Sequence, residues 1–232
     1  MAELVYGRHA VREALRGRRG VQTVYATARA AGQSEWLPAG VRVAGAEQLS
    51  ALAGSPDHQG LVAEVEPYPY ADPAALLARE RALLVALDEI TDPHNLGAVA
   101  RVAEGAGADG LLITRRRSAA VTAAVCRASA GAVEHLPIAQ VANLADALLA
   151  AQRPGLWSYA AAADAERPHW AHDYRDGTVF VLGAEGRGLR PRVRSACDEA
   201  VAIPMRGRVE SLNVSTAAAV LLFEAVRQRL DG

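Results

Sequence analysis

From Leu83 onward the chain alternates apolar runs of strand length with segments whose apolar residues recur at helical spacing, a pattern that few folds can satisfy. Leu83–Leu87, Gly110–Ile113, Leu136–Ile138, Trp157–Ala161, Thr178–Leu182 and Val201–Ile203 read as strands. Leu96–Ala106, Thr122–Ala130, Asn143–Ala151 and Pro191–Ala196 read as helices between them, and Asn213–Arg229 as a long closing helix. Strands that are apolar throughout are buried on both faces, so the expected fold class is α/β, with a mostly parallel sheet covered by helices on each side. Ligands of such sheets bind beyond the carboxyl ends of the strands.

Ahead of this region, Pro67-Tyr-Pro-Tyr-Ala-Asp-Pro73 reads as an extended, stiff connector. A small α/β unit precedes it, with a helix over His9–Arg16 and short strands at Val21–Ala26, Val41–Ala44 and Leu61–Val65. The expected organisation is therefore a unit at 1–66, a linker at 67–75 and a larger unit at 76–232.

The formal net charge is −1, so any nucleic-acid contact must come from a local basic surface rather than bulk charge. Every one of the 25 basic residues is arginine, which removes lysine Schiff bases, phosphate-loop lysines and lysine general bases from consideration. Cys126 and Cys197 form neither a zinc spacing nor a disulfide framework. His169 and His172 have no third partner in sequence, so no metal is expected, and both read as surface residues of a loop. The N-terminus lacks a signal-peptide run and no segment has the length of a membrane span, so the expected location is cytoplasmic. Gly105-Ala-Gly-Ala-Asp-Gly110 matches a dinucleotide-binding pattern in reverse context, helix before strand, and reads as a helix C-cap and turn.

Three segments carry chemistry. Asp92-Pro-His-Asn95-Leu-Gly97-Ala-Val-Ala-Arg101 joins a strand to a helix, with Asn95 suited to an N-cap and Arg101 four residues after Gly97. Arg101 is expected to lie back over the bare Gly97 toward Asn95, where a phosphate or ribose would meet both; a capped helix with a solvated arginine is the alternative. Leu182-Gly-Ala-Glu-Gly-Arg-Gly188 follows an apolar strand, and its glycines permit either close approach to a ligand or simply a flexible turn. Ile203-Pro-Met205 to Ser211-Leu-Asn213-Val-Ser215 leads into the last helix with more capping groups than one helix needs. That helix is apolar on nearly all faces, which suggests a subunit interface in addition to sheet packing.

Together these segments resemble the three signature motifs of the SpoU family of RNA 2′-O-ribose methyltransferases, in the SPOUT superfamily. Tyr6-Gly-Arg-His-Ala-Val11, His58-Gln-Gly60 and Ser129–Pro137 extend the resemblance, which within the family is greatest to bacterial enzymes acting on a 23S rRNA guanosine. The resemblance implies a SPOUT-type parallel sheet ending in a trefoil knot, an L30e-like domain before it, and a homodimer formed through the catalytic domain. It implies S-adenosylmethionine as cofactor, held by Leu182, Gly183, Ile203, Met205 and Leu212. It places Asn95, Arg101, Glu185, Ser211 and Asn213 in catalysis.

A ribose hydroxyl needs orientation and stabilisation of its developing alkoxide. A free guanidinium keeps its proton far above neutral pH, so Arg101 reads as a better phosphate and alkoxide clamp than a base, with Ser211 or a water assisting proton transfer. RNA contact is expected from Arg8, Arg12, Arg16, Arg18 and Arg19 and from Arg115, Arg116 and Arg117. Methylation of tRNA, and a non-catalytic role in ribosome assembly, are the alternatives.

Overall fold

The computed structural model describes residues 2–184 and 186–230. The N-terminal unit contains β1 (Glu3–Tyr6), α1 (Arg8–Ala14), β2 (Val21–Ala26), α2 (Ala28–Gly32), β3 (Arg42–Val43), α3 (Ala46–Ala53) and β4 (Leu61–Val65). Its sheet runs β1-β4-β2-β3, with β4 antiparallel to both neighbours and β3 parallel to β2. Two of its helices, α2 and α3, are too short and too weakly periodic to stand out in the sequence.

The larger unit follows as α4 (Pro73–Leu77), β5 (Leu83–Asp88), α5 (Pro93–Gly105), β6 (Gly110–Thr114), α6 (Ala123–Ala128), β7 (Ile138–Val141), α7 (Leu144–Ala151), β8 (Leu156–Ala161), β9 (Gly177–Gly183), α8 (Pro191–Ser195), β10 (Glu199–Val201) and α9 (Val214–Leu230). Its strands lie in the order β10-β8-β9-β5-β6-β7, and every neighbouring pair is parallel.

Strand β5 shows how the two faces are filled. Leu83, Val85 and Leu87 enter the core formed with Leu96, Val99 and Ala103 of α5 and Ala218, Leu221, Leu222 and Ala225 of α9. Leu84 and Ala86 point the other way, into a core with Leu76 and Leu77 of α4, Leu144 and Leu148 of α7, and Val193 of α8. Successive side chains alternate between faces, so a run with no polar residue is what a doubly covered strand requires. Each fully buried leucine contributes about 1.5–3 kcal/mol.

Several boundaries differ from the sequence reading for local reasons. Helix α5 begins at Pro93, not Leu96, because Asp92 caps it by accepting from the His94 amide at 2.9 Å and proline is favoured at the first helical position. Asn95 is therefore inside the first turn and is not the cap. Strand β7 starts at Ile138, since Pro137 has no N–H to give a ladder. The last strand runs Glu199–Val201, two residues earlier than expected. The Gly105–Gly110 segment is the C-cap and turn anticipated: Gly107 is left-handed at φ +69, and the Ala108 amide bonds back to Ala103. His172, read as a surface residue, is 6% exposed, beneath Tyr159 and Tyr174 and within 2.8 Å of Glu199.

The proline-rich connector is extended but not free. Tyr68 is buried, the Tyr70 hydroxyl accepts from the Val121 amide at 2.9 Å, and Ala71 bridges to Ala139 beside β7. Among the described residues no helix is long and apolar enough to cross a membrane, and no cluster of three or more His, Cys, Asp or Glu could hold a metal ion.

Candidate active site

The three motifs converge at the carboxyl edge of the parallel sheet. Asp88 at the end of β5 is in register with Gly183 at the end of β9. From Gly183 the chain turns sharply back, and the Gly188 amide donates to the Ala184 carbonyl at 2.8 Å. A Cβ on Gly183 would lie 2.1 Å from the Gly188 carbonyl carbon, so only glycine lets this loop fold over its own strand. The glycine thus serves the chain's own close approach.

An ion pair that the sequence reading missed holds the loop down. Asp88 is 1% exposed, and the Arg190 guanidinium grips it with Nη2 at 2.6 Å and Nε at 2.9 Å while the Arg190 amide adds a third bond at 3.0 Å. This two-pronged hydrogen bonding to Asp88, ahead of the opposing cost of burial, raises the Arg190 pKa. The signal was one carboxylate closing an otherwise apolar strand, but its partner lies 102 residues away.

Two cavities meet at the turn after β9. One, of about 470 Å³, is lined by Leu182, Gly183, Ile203, Met205 and Leu212, all five residues assigned to the cofactor, together with Ser211, Glu210, Val214 and the Asp164–Arg194 ion pair. The other, of about 710 Å³, is lined by Asp88, Glu89, Asp92, Asn95, Arg117, Arg187 and Arg190. Ala184, Arg187, Gly188 and Leu189 face both.

A side-chain bond crosses between the helices behind these cavities. Asn213 Nδ2 donates to Asn95 Oδ1 at 2.9 Å, tying the start of α9 to the first turn of α5. The Asn213 Oδ1 accepts from the amide and the hydroxyl of Ser215 at 2.9 and 2.6 Å, so Asn213 caps α9 while its amide nitrogen reaches Asn95. Ser211 is exposed at the first cavity and plays no part in that cap.

Other expected residues fall differently. Arg101 is exposed on α5, and no ion pair holds it among the described residues. Gly97 does not form a bare platform beneath it: a Cβ there would meet Ala128 at 2.5 Å and the Ser129 amide at 2.9 Å, so its smallness lets α5 close on α6. Glu185 lies outside the described residues. Arg115, Arg116 and Arg117 are exposed after β6, with Arg117 3.5 Å from Glu89. Arg8 and Arg16 are exposed on and just beyond α1, Arg12 is half-buried, and Arg18 donates to the Glu134 and Leu136 carbonyls. Arg19 is 5% exposed and ion-paired with Glu134 and Glu3, which removes it from any open RNA-facing surface.

A family model described as the SpoU rRNA Methylase family matches residues 82–223, and one described as RNA 2′-O ribose methyltransferase substrate binding matches residues 4–71. The 23S rRNA (guanosine-2′-O-)-methyltransferase RlmB of Ralstonia nicotianae is 41% identical over 240 residues, covering 98% of this chain and 96% of that protein. An RlmB from Burkholderia is 47% identical over 190 residues, covering 81% and 77% respectively. The solved structure of the SpoU methyltransferase AviRb from Streptomyces viridochromogenes with the cofactor AdoMet aligns at TM-score 0.82 and 28% identity, over 100% of this chain and 91% of that one. With its three motifs gathered at one sheet edge and relatives aligned over nearly its whole length, the chain belongs to the SpoU rRNA methylase family.

Proposed function

We propose that this protein transfers a methyl group from S-adenosylmethionine to the ribose 2′-hydroxyl of a guanosine in 23S rRNA. The observation that carries this reading is the pair of cavities that meet at one turn, with Asn95 of one cavity hydrogen-bonded to Asn213 at the end of the segment lining the other. Such an arrangement would seat a methyl donor and an acceptor nucleotide side by side, with the ribose hydroxyl meeting the methyl group directly at the edge the two cavities share. Relatives named as 23S rRNA guanosine methyltransferases supply the choice of RNA and base.

The 470 Å³ cavity fits the cofactor in size and chemistry. It lies within the range of about 300–1,000 Å³ usual for small ligands. Leu182, Ile203, Met205 and Leu212 offer apolar walls to a purine, and Asp164, Arg194 and Glu210 at the lining suit a zwitterionic tail. S-adenosylmethionine supplies an electrophilic methyl group, so the protein's task is to orient a weak nucleophile and stabilise its alkoxide.

Asn95 and Asn213 hold the ribose, with their mutual bond fixing both amides. Arg101, exposed and able to present a planar fork, clamps a phosphate oxygen and the developing alkoxide. Ser211, at the cavity lining, relays the proton to water. Glu185 completes the set by family likeness.

We further infer that the chain after β9 threads into a trefoil knot, that the unit ending near residue 66 is an L30e-like RNA-binding domain, and that the enzyme is a cytoplasmic homodimer. The remaining apolar surface of α9, where Phe223 is 51% exposed, supports the dimer. The deciding experiment maps 2′-O-methyl groups on 23S rRNA and tRNA from cells with and without the protein. One guanosine methyl in 23S rRNA that depends on the protein is expected; a dependent methyl found only in tRNA overturns the assignment.

A further inference from the structure

The segment 129–137 takes no part in the two cavities, yet it is shaped to receive the N-terminal unit. A Cβ on Gly17, after α1, would lie 2.6 Å from the Glu134 Cβ, and one on Gly131 would lie 2.5 Å from the Glu13 Cβ. Gly131 is also left-handed at φ +88. One glycine from each unit therefore lets the two surfaces close to direct contact.

Arg19 crosses this seam. Its Nε donates to Glu134 Oε2 at 2.9 Å and its Nη2 makes a second, short contact with Oε1. Nη1 reaches Glu3 at 3.1 Å, Nη2 also donates to the Cys126 thiol at 3.3 Å, and the guanidinium lies 5.5 Å from the Tyr68 ring. Glu134 is 1% exposed. The connector is anchored at the same place, where the Tyr68 hydroxyl lies 3.0 Å from the carbonyls of both Val133 and Leu136. Apolar contact alone permits sliding between surfaces, and other polar contacts across the seam, Arg18 to the Leu136 carbonyl at 3.0 Å and His135 to Glu13 at 2.9 Å, lie at its exposed side. A planar fork bound to a buried carboxylate permits one register.

We propose that the 129–137 loop is a docking seat and that Arg19 is the positioning residue that holds the N-terminal unit in one orientation on the methyltransferase, so that RNA meets a single rigid body. The proposal rests on reading that unit as RNA-binding. It also changes what the proline-rich connector does: it is part of the seat, not a tether.

The test uses the full-length chain and two readouts. Limited chymotrypsin cleavage at Tyr70–Ala71, identified by mass, reports undocking of the connector. Steady-state methylation of a 23S rRNA fragment reports RNA use. Arg19→Met is expected to raise both the cleavage rate at Tyr70 and KM for RNA by about tenfold, the effect of about 1.4 kcal/mol, with S-adenosylmethionine affinity and kcat unchanged. Arg19→Met with Glu134→Leu removes the stranded carboxylate but leaves only apolar contact there, so it is expected to recover Tm while cleavage at Tyr70 and KM stay raised; recovery of protection and KM as well would overturn the positioning role. Glu134→Gln keeps volume and an acceptor and should show a smaller shift in the same direction. Unchanged cleavage in Arg19→Met overturns the docking role. Raised cleavage with unchanged KM overturns the link to RNA, and parallel loss of cofactor affinity reduces Arg19 to a general stabiliser. If the wild-type chain methylates no rRNA, the proposed substrate fails while the cleavage result still decides the docking.

Discussion

Replacing Gly183 by alanine should disable cofactor binding through geometry alone. The new Cβ would stand 2.1 Å from the Gly188 carbonyl carbon, 2.2 Å from its oxygen and 2.4 Å from the Leu189 nitrogen, where contacts below 3.0 Å are essentially never seen. All three are backbone atoms, so no side chain can rotate away and the loop itself must retreat by about 1 Å. Asp88 and Arg190 hold that loop from its far end, so the shift falls on Ala184, Arg187, Gly188 and Leu189, which wall both cavities. A displacement of about 1 Å at a reacting site costs on the order of 100-fold in rate, and overpacking costs about 1–3 kcal/mol in stability. Isothermal titration with S-adenosylmethionine, single-turnover methyl transfer and Tm should show lost affinity, the rate defect and a drop of several degrees. Gly186→Ala is the control: nothing lies within 4 Å of its Cβ, and its φ of +75 costs only left-handed strain of about 1–2 kcal/mol. If Gly183→Ala bound the cofactor and turned over like the wild type, the loop would be soft and the argument from backbone contact would fail.

Asn213→Asp should keep the cap on α9 but lose the donor to Asn95, so the transfer rate falls while Tm holds; Asn213→Ala should lose rate and about 1 kcal/mol of stability. A common rate loss in both variants with equal Tm loss would make the Asn95 bond irrelevant. Arg101→Lys retains charge without the planar fork, and kcat should fall at least about tenfold with cofactor affinity intact; near-normal turnover would remove the clamp. His172 has a pKa held below its ordinary 6.5, first by burial and then by Arg167, against the pull of Glu199. The folded state therefore binds the proton less readily than the unfolded chain, so this contribution to stability is present above about pH 6.5 and is lost as pH falls. Tm measured from pH 7.5 to 5.5 should fall less in His172→Gln than in the wild type, and identical slopes would discount His172.

Much of the fold was legible because its causes are local. The all-apolar runs at Leu83–Leu87 and Thr178–Leu182 announce strands covered on both faces, and Gly107 marks the end of α5 whatever follows it. The motifs singled out Leu182, Ile203, Met205 and Leu212 as neighbours, and these four do gather at one cavity. The uses of individual side chains were not legible, because they depend on what lies across from them. Gly97 looked like an opening for a ligand and is a contact with α6; Gly183 admits its own chain; Asp92, a neighbour of Asn95, does the capping. Arg19 shows the limit most clearly. In sequence it is one basic residue among several near α1, and exposure is the natural expectation for it. Only the tertiary structure brings Glu134, 115 residues away, beneath it, and a buried carboxylate is what turns a surface cation into the joint between two units.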